Sequence, residues 1–575
     1  MASLSIVGSK LISDRMDWLV GNFKNGKSFL DKNYNALEEG EGFWAAYKQT
    51  RNITVKTEEG EGVKIVSGQV FGAIEEEIEN VSDKEVGARC LRSDGSFVKA
   101  SVRSDSVRVV TDFGGSVPVF YGYGPKGFAI GTLVHHVAVL SGLTDLDKAS
   151  AADYLINGAI CYPYSWYEQV REVKPGSVST FKSNGEVDSH TYWQPTEPDN
   201  PRGTCDTEKW GNRLHEQIGK AIEKGIRGQS NGRISYSGGI DARSVLSMVP
   251  ETFECTPTIV LDSKNKEYWA AKHSARLMGR KIDLICRPEN HYRKSIRDRI
   301  DKIGPGWDLR HANMFGPIAE YLCDTDVILG GFVVDGLFKS WGLSNVRSRR
   351  FWPNELAGQS SDTVPHSADM AVPALWNDYA AAALVRRQRH HNRLKDIRPE
   401  TAGTWHGLYP FSNDPHYPHY LTNLRIGPSI LEPFAFSQTY RLASKMPETG
   451  RLENTVLRHA FSKEMGLAGW WPTSRGVLPR LGDQYLGYLL GFVVRRWFDV
   501  RGKYDETFQS GSWPADQSGW GPVHPEEHFS SQECHLLMDR VSDLFSEEGK
   551  RLFRHEQVSD ATKVQALALA FDVNL

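Results

Sequence analysis

The sequence has little charge imbalance, few cysteines and no long apolar run. Its 575 residues carry a formal net charge of -3, which gives no global attraction to nucleic acid or to an anionic membrane. The seven cysteines lie far apart along the chain and never form the CxxC spacing typical of zinc or redox sites. These absences predict a protein of the reducing cytoplasm that binds no nucleic acid.

The apolar stretches are too short to cross a membrane. The most apolar late one, YLGYLLGFVV at residues 485–494, has about ten residues against the roughly twenty that a bilayer requires. It is interpreted as a buried helix. The first residues, MASLSIVGSKLISDRMDWL, lack an uninterrupted apolar core behind basic residues, so no secretory signal and no membrane span are predicted.

Two parts of the chain differ in their patterning. Up to about residue 190, short β-branched runs such as VKIVSGQVFG alternate with Gly and Asp turns, which predicts a mostly β domain. Residues 190–206, HTYWQPTEPDNPRGTCD, mix prolines with polar residues and are interpreted as a linker. The predicted domains are therefore residues 1–195 and residues 205–575.

Beyond the linker, strand and helix patterns alternate. Strands are predicted at residues 233–237, 253–261, 281–287 and 326–329, with amphipathic helices between them. This order predicts a parallel, doubly wound sheet that binds its ligand at the carboxyl ends of its strands. Helical patterns return after about residue 425, so a helical carboxyl-terminal part is expected.

The first of these strands ends in a glycine loop that suits an anion. Ser237, Gly238, Gly239 and Ile240 lead directly into a helix pattern, and successive backbone N–H groups there would converge on a phosphate. Asp241 repels phosphate, and its natural use is to bind a Mg²⁺ ion that bridges phosphate oxygens. The dinucleotide and kinase-type glycine signatures are both absent. A tight strand-to-helix turn that binds nothing is the alternative.

Several motifs occur in the order and approximate spacing of one family. SYSGGID, VVTDFGGSVPVFY, TYWQP, VILGGFVVDGLF and ILEPFAFSQTYRLASKMP lie within about residues 60 to 480, and together they resemble the asparagine synthetase family. The resemblance implies an amino-terminal β-rich sandwich of the Ntn-hydrolase type, followed by an ATP-pyrophosphatase (PP-loop) synthetase domain. It also implies an ATP ligase that converts a carboxylate into an acyl-adenylate, which an amine then attacks.

The resemblance assigns site residues by position. Asp241 and Asp335 match the two carboxylates that hold Mg²⁺ on the pyrophosphate of ATP, while Gly330 and Gly331 match glycines beside the ribose and α-phosphate. The expected lining of the adenine pocket comprises Tyr236, Val260 and Leu261. A helix cap is the alternative for Asp335, and an ordinary apolar strand end is the alternative for the pocket residues.

The amino-terminal part departs from the glutamine-using members. Their nucleophile is a cysteine directly after the initiator methionine, where this sequence has Ala2, and their Asn-Gly-Glu aligns with Ser67, Gly68 and Gln69. Glutaminase activity is therefore predicted to be absent. The same loss marks β-lactam synthetases and lasso-peptide cyclases, which are the nearest functional analogues.

The synthetase part also departs from the family. Phe332 stands where relatives carry Tyr, His or Glu, Ala242 where they carry a pyrophosphate-binding serine, and Ser474 where they carry a lysine. Glu432 is the candidate base, with a structural carboxylate as the alternative. Arg475 is the candidate replacement for the lysine charge, with an exposed arginine as the alternative. Arg243 or Ser244 is expected to compensate for Ala242.

Two further clusters are interpreted as structural features without a functional role. The arginine- and histidine-rich stretch at residues 386–393 is interpreted as a solvated helix face, with contact to an anionic partner as the alternative. His416 and His419 in DPHYPHY are assigned to a loop in preference to a metal site, because no suitable ligand partner is evident in the sequence.

The sequence as a whole predicts a glutamine-independent, AMP- and pyrophosphate-forming amide ligase. Its substrates are a small-molecule or peptide carboxylate and an amine, and its cofactors are ATP and Mg²⁺. A catalytically inactive scaffold protein and an ammonia-dependent asparagine synthetase are the alternatives. A second copy of the chain or a pathway protein is left open as a partner.

Overall fold

The structure is a computed structural model. The residues that it describes are 18–23, 36–39, 44–47, 53–58, 62–75, 78, 81–103, 105–261, 263–286, 299–308, 324–348, 352–357, 378–426, 428–482, 485–503 and 547. Ala2 lies outside this range, so its predicted role is not addressed by the structure.

The amino-terminal half contains two antiparallel six-stranded sheets. The strands are β1 (Trp18–Phe23), β2 (Ala36–Glu39), β3 (Trp44–Tyr47), β4 (Ile53–Glu58), β5 (Gly62–Phe71), β6 (Asp94–Val102), β7 (Ser106–Thr111), β8 (Phe120–Gly124), β9 (Gly127–Gly131), β10 (Arg171–Glu172), β11 (Ser177–Lys182) and β12 (Val187–Thr191). One sheet has the order β10-β8-β9-β1-β3-β2 and the other has the order β12-β11-β7-β6-β5-β4. The helices of this half are α1 (Asp83–Leu91), α2 (Val134–Ser141) and α3 (Lys148–Asn157).

The second of these sheets is covered on both faces. Successive residues of a strand point to opposite faces. Val109 accordingly joins the main core, whereas its neighbour Val110 joins a smaller cluster with Val86 of α1. This double coverage explains why the sequence of β7 is a nearly continuous β-branched run. The predicted β-rich amino-terminal part is confirmed.

The carboxyl-terminal half contains a parallel five-stranded sheet. Its strands are β13 (Asn231–Ser235), β14 (Glu254–Leu261), β15 (Asp283–Cys286), β16 (Val327–Leu329) and β19 (Ser429–Leu431), and a separate hairpin is formed by β17 (Asn345–Val346) and β18 (Glu355–Leu356). The helices are α4 (Thr207–Ile226), α5 (Ile240–Met248), α6 (Lys266–Leu277), α7 (Val334–Phe338), α8 (Asp378–Lys395), α9 (Ala402–Trp405), α10 (Pro418–Ile426), α11 (Ser437–Lys445), α12 (Thr455–Phe461) and α13 (Tyr485–Gly502).

The strand order of this sheet creates a crevice beside the glycine loop. The order is β15-β14-β13-β16-β19, so the chain builds outward from β13 in one direction and later in the other. Loops on the two sides of such a reversal separate at the carboxyl ends of the strands. The predicted parallel sheet is confirmed, and its reversal lies between β13 and β16, directly next to Ser237 and Gly238.

The two halves share one continuous apolar core. Trp193 stacks on Phe113 of the amino-terminal half at 4.5 Å between ring centroids and contacts Tyr440 of α11 at 5.5 Å. Strand β12 ends at Thr191, and α4 begins at Thr207 after the capping residue Asp206. The predicted boundary between residues 195 and 205 falls within this connection and stays a prediction.

The arginine- and histidine-rich helix α8 is a solvated face only in part, because Arg389 and Arg393 are exposed and the other basic residues of the stretch are not. Arg386 contacts both carboxylate oxygens of Asp147 at 2.8 Å, and Arg387 pairs with Asp153. Both carboxylates belong to the amino-terminal half, and His390 and His391 are buried. Arg386 and Arg387 therefore link α8 to α3 through ion pairs, because α3 contains Asp153 and is capped by Asp147.

The helix predicted at residues 485–494 exists as α13, but it is not buried. Leu486, Val493 and Tyr485 are each more than half exposed. In the described part of the chain, no helix combines the length and the apolar character needed to cross a membrane.

Candidate functional site

The glycine loop joins β13 to α5 at the reversal of the parallel sheet. Gly238 has a φ of 71°, and a Cβ there would lie 2.8 Å from the backbone nitrogen and Cα of Ala271 in α6. Only glycine satisfies both conditions. Gly239 directs its N–H to the hydroxyl of Ser237 at 3.3 Å, and Ser237 is exposed. At the start of a nine-residue helix, the loop therefore presents an amide that makes only a long hydrogen bond and a hydroxyl that is exposed to solvent.

Asp241 and Asp335 come together around one lysine. The Nζ atom of Lys339 donates to Asp241 Oδ2 at 2.6 Å and also to Asp335 Oδ1. Asp335 and Lys339 are four residues apart at the end of a short helix, which places their side chains on one face. The predicted closeness of the two aspartates is thus observed, and the helix-cap alternative does not describe Asp335, because its carboxylate binds Lys339.

Lys339 is a residue of the site that sequence reasoning missed. Its side chain is 18% exposed, compared with 23% for Asp241 and 60% for Asp335. The available signal was a lysine four residues after Asp335 in DGLFK. That signal was weak, because such pairs are common on solvated helices and add little stability there.

The charges of this cluster depend on one another. Burial raises the pKa of Asp241 to about 6, although Lys339 lowers it. Burial also acts on Asp335, but Lys339 outweighs it and holds the pKa of that carboxyl below the ordinary value. The two carboxylates in turn overcome the effect of burial on Lys339 and raise its pKa. The cluster is therefore ionised at neutral pH.

The glycines after β16 bring the two sides of the crevice together. A Cβ on Gly331 would lie 3.2 Å from the Cβ of Asp241. A Cβ on Gly330 would lie 2.0 Å from the Phe332 ring and 2.9 Å from Glu432 Oε2. Gly331 thus permits the close approach to Asp241, and the space beside Gly330 is already filled by Phe332.

Glu432 lies beneath this crevice and is 1% exposed. Its Oε2 atom accepts a hydrogen bond from the backbone N–H of Phe332 at 2.7 Å. No described residue is hydrogen-bonded to Oε1. Burial raises the pKa of Glu432 to about 8, against the hydrogen bonds from Phe332 and Phe434. Glu432 is therefore mainly protonated at neutral pH and interacts electrostatically with Asp241.

Arg243 and Ser244 do not compensate for Ala242, which corrects the sequence expectation. Arg243 is fully buried and donates to the carbonyl oxygens of Ala468 and Trp471, at 2.6 and 2.5 Å. Ser244 donates to the carbonyl oxygen of Ile240 within its own helix. Both side chains are committed to the protein, so neither faces the glycine loop.

Arg243 instead positions the segment that carries Arg475. It also donates to the carbonyl oxygen of Pro472, and the turn that follows is closed by hydrogen bonds between Thr473 and Val477. Arg475 is exposed. Its charge lowers the pKa of both Asp241 and Asp335. Arg475 therefore interacts electrostatically with the carboxylate pair.

The three residues predicted to line an adenine pocket are enclosed to different degrees. Tyr236 is 1% exposed, and its hydroxyl bonds with that of Ser274 in α6 at 2.9 Å. Val260 and Leu261 end strand β14 and are buried. All three lie at the carboxyl edge of the sheet, and their contact with a base stays a prediction.

The residues aligned with the glutamine pocket face the parallel sheet. Ser67 is fully buried and has no hydrogen-bond partner for its hydroxyl among the described residues. Gln69 donates to Ser429 in β19 at 3.0 Å. Strand β5 thus contacts the strand that leads to Glu432.

The two histidines of DPHYPHY occupy different environments. His416 Nδ1 lies 3.0 Å from Asp414 Oδ1, and its pKa is raised because this carboxylate outweighs burial. His419 lies in α10, and burial lowers its pKa to about 3. No group of three or more potential metal ligands occurs among the described residues. Asp414, the first residue of DPHYPHY, is the acidic partner of His416, which the sequence interpretation did not assign.

Comparisons with known proteins add little to this geometry. No protein-family model matches the chain, and no curated protein matches it. Among solved structures, an allosteric regulatory enzyme of purine biosynthesis is similar with 7% identity and a TM-score of 0.21, over 48% of this chain and 75% of that one. Glutamine phosphoribosylpyrophosphate amidotransferase from B. subtilis, complexed with ADP and GMP, is similar with 12% identity and a TM-score of 0.19, over 49% of this chain and 61% of that one.

TM-scores this low carry no inference about fold or function. The observed architecture defines a mixed α/β protein with a parallel sheet and a carboxylate–lysine cluster at its reversal. The resemblance to asparagine synthetases therefore depends on the sequence motifs and their placement in this architecture.

Proposed function

We infer that the protein is an ATP-dependent, AMP- and pyrophosphate-forming amide ligase that uses no glutamine. The observation that carries this proposal is the convergence of Asp241, Asp335 and the glycine loop at the reversal of a parallel sheet. Such a crevice is where parallel sheets bind ligands. A glycine turn that opens a helix is suited to the phosphates of ATP.

The carboxylates fit a Mg²⁺ ion in their chemistry and in one detail of their bonding. Asp241 Oδ1 is buried and has no hydrogen-bond partner among the described residues, although buried polar atoms rarely remain so. Asp335 offers an exposed carboxylate beside it, and Mg²⁺ prefers such oxygen ligands. Bound there, Mg²⁺ would offset the charge of the departing pyrophosphate.

The protein's own residues divide the remaining work. The amides of Gly239 and Ile240 bind phosphate oxygens, and Arg475 supplies positive charge from the opposite loop. The ionised form of Glu432, whose share grows as the pH approaches 8, accepts the proton of the attacking amine, which Phe332 cannot do. The ring of Phe332 excludes water from the floor of the crevice beside Gly330. The substrate class is a carboxylate with an amine supplied by the same or a second molecule.

A non-catalytic scaffold is the second candidate function. It is favoured by the ammonium of Lys339 between the two carboxylates, and by the absence of polar side chains at Phe332 and Ala242. A protein of this kind keeps the fold and performs no adenylation.

Exchange of radiolabelled pyrophosphate into ATP separates the two candidates. The assay is run with a panel of amino acids and peptides that carry free carboxylates. The ligase predicts exchange with at least one acid, and loss of exchange in Asp241→Ala. Asp283→Ala is the matched control, because Asp283 begins β15 at the opposite edge of the sheet. A protein that binds ATP and shows no exchange across the panel would contradict the ligase.

A further inference from the structure

Lys339 bridges the carboxylate pair at the position where a cation is expected. Its ammonium group has three donors, of which two are used by Asp241 and Asp335. Among the described residues the third donor has no partner. The two aspartates thus orient the ammonium as well as neutralise it.

The ammonium of Lys339 lies close to the helix that follows the glycine loop. Asp241 is the second residue of α5, and the loop ends directly before that helix. Lys339 Nζ is 2.6 Å from the Asp241 carboxylate, so the ammonium lies beside the first turn of α5, directly after the loop. Partial exposure of the side chain leaves it open to a ligand from the crevice.

We propose that Lys339 is a built-in cation that binds the pyrophosphate portion of the ligand directly, so that pyrophosphate binds in the absence of a divalent ion. The proposal rests on the proposed function, because it assigns the same loop to a phosphate chain. The ammonium donates its third N–H to a phosphate oxygen, while Asp241 and Asp335 hold it in place. Arg475 adds a second positive charge, and the two cations offset the two aspartates.

The charge balance supports a site of this kind. Without Lys339, a pyrophosphate would meet two neighbouring carboxylates whose like charges repel it, and only a metal ion could reverse that effect. With Lys339 and Arg475 in place, the carboxylates are compensated before a ligand enters. The amides at the amino-terminal end of α5 then act on the anion without opposition.

The test is calorimetric titration of the full-length protein with inorganic pyrophosphate, first in EDTA and then with Mg²⁺. The wild type is expected to bind pyrophosphate in EDTA, and Lys339→Met is expected to bind it at least tenfold more weakly. Because Mg²⁺ takes the position that the lysine leaves, it should restore binding to Lys339→Met. Lys224→Met, which changes a lysine of α4, is the control and should bind like the wild type.

A second variant tests whether weak binding by Lys339→Met comes from the lost charge or from misfolding. Asp335→Asn combined with Lys339→Met removes the pair of charges together. It should bind pyrophosphate in EDTA more weakly than the wild type, because the ammonium is lost, but less weakly than Lys339→Met, because one repelling carboxylate is gone. Wild-type binding that requires Mg²⁺ would overturn the role of Lys339 and leave the ligase proposal intact. Equal binding by the wild type and Lys339→Met in EDTA would do the same. No binding with or without Mg²⁺ would overturn both proposals.

Discussion

Two buried glutamates of this protein share a raised pKa but occupy different places. Burial raises the pKa of Glu432 to about 8 in the crevice, and it raises that of Glu172 to about 8 at the contact between β10 and Ser412. Glu432 interacts with Asp241, whereas Glu172 lies in the amino-terminal half. The pair therefore allows a matched comparison of a site carboxylate with a structural one.

At the residue scale, Glu432→Gln and Glu172→Gln should have the same effect on stability and different effects on binding. A folded-state pKa of about 8 above the ordinary 4.5 means that the folded protein holds a proton the unfolded chain releases. The free energy of unfolding contributed by each group is thus present below pH 4.5 and lost as the pH rises to about 8. Each substitution should reduce this pH-dependent loss of the free energy of unfolding, as measured by urea unfolding across the pH range.

The binding of ATP distinguishes the two glutamates. Above pH 8 the ionised Glu432 repels the triphosphate, so wild-type affinity should fall. Glu172→Gln should retain this fall, and Glu432→Gln should lose it. Identical pH profiles of ATP affinity in the two variants would show that Glu432 is a structural carboxylate only.

The limits of prediction are clearest at single residues. Asp241 and Asp335 were paired through the resemblance to the asparagine synthetase family, and their closeness agrees with the way the carboxyl ends of neighbouring parallel strands meet at one edge. Lys339 could not be assigned to them, since a lysine four residues from an aspartate is most often solvated. Arg243 was misassigned for a related reason: its position beside Ala242 gives no indication that its side chain turns toward Ala468.

At the element scale, Arg243 connects α5 to the segment that precedes the turn at residues 473–477. It is buried and serves three carbonyl oxygens, and burial lowers its pKa to about 10, which still leaves it charged at neutral pH. Arg243→Met should lower the free energy of unfolding by about 3 kcal/mol, because charged hydrogen bonds are lost and carbonyl groups stay buried. Urea unfolding measures this change.

The same substitution should also weaken ATP binding, because Arg475 loses its support. Arg276→Met is the control, since Arg276 is exposed on α6. Loss of stability without any change in ATP affinity would separate Arg243 from the site.

Elements with one clear periodicity could be predicted, and elements defined by distant contacts could not. Strands β13 and β14 follow from short apolar runs between turn residues. Helix α8 was placed on the surface because its sequence is rich in Arg and His. Asp147 and Asp153, more than 200 positions away, nevertheless accept hydrogen bonds from Arg386 and Arg387. Helix α13 was assigned to the interior on composition alone. Most of its apolar side chains are exposed, although Phe498 is buried.

At the scale of the whole molecule, α8 fastens the two halves through charge. Arg387 and Asp153 are both buried, and removing one partner of such a pair leaves the other uncompensated. Asp153→Ala should therefore lower the free energy of unfolding by about 3 to 5 kcal/mol. Asp188→Ala, which changes an exposed residue of β12, should have no measurable effect. Equal free energies of unfolding for the two variants would show that the ion pair of α8 does not hold the two halves together.

The ligase proposal requires that the glycine loop and the two aspartates hold the phosphates of ATP. The most direct measurement is a crystal structure of the protein with an ATP analogue in which a methylene group replaces the oxygen between the α- and β-phosphates. The proposed site predicts the β- and γ-phosphates on the amides of Gly239 and Ile240, with Asp241 and Asp335 beside them. An analogue bound elsewhere, with the Ser237 hydroxyl still engaged by Gly239, would contradict it.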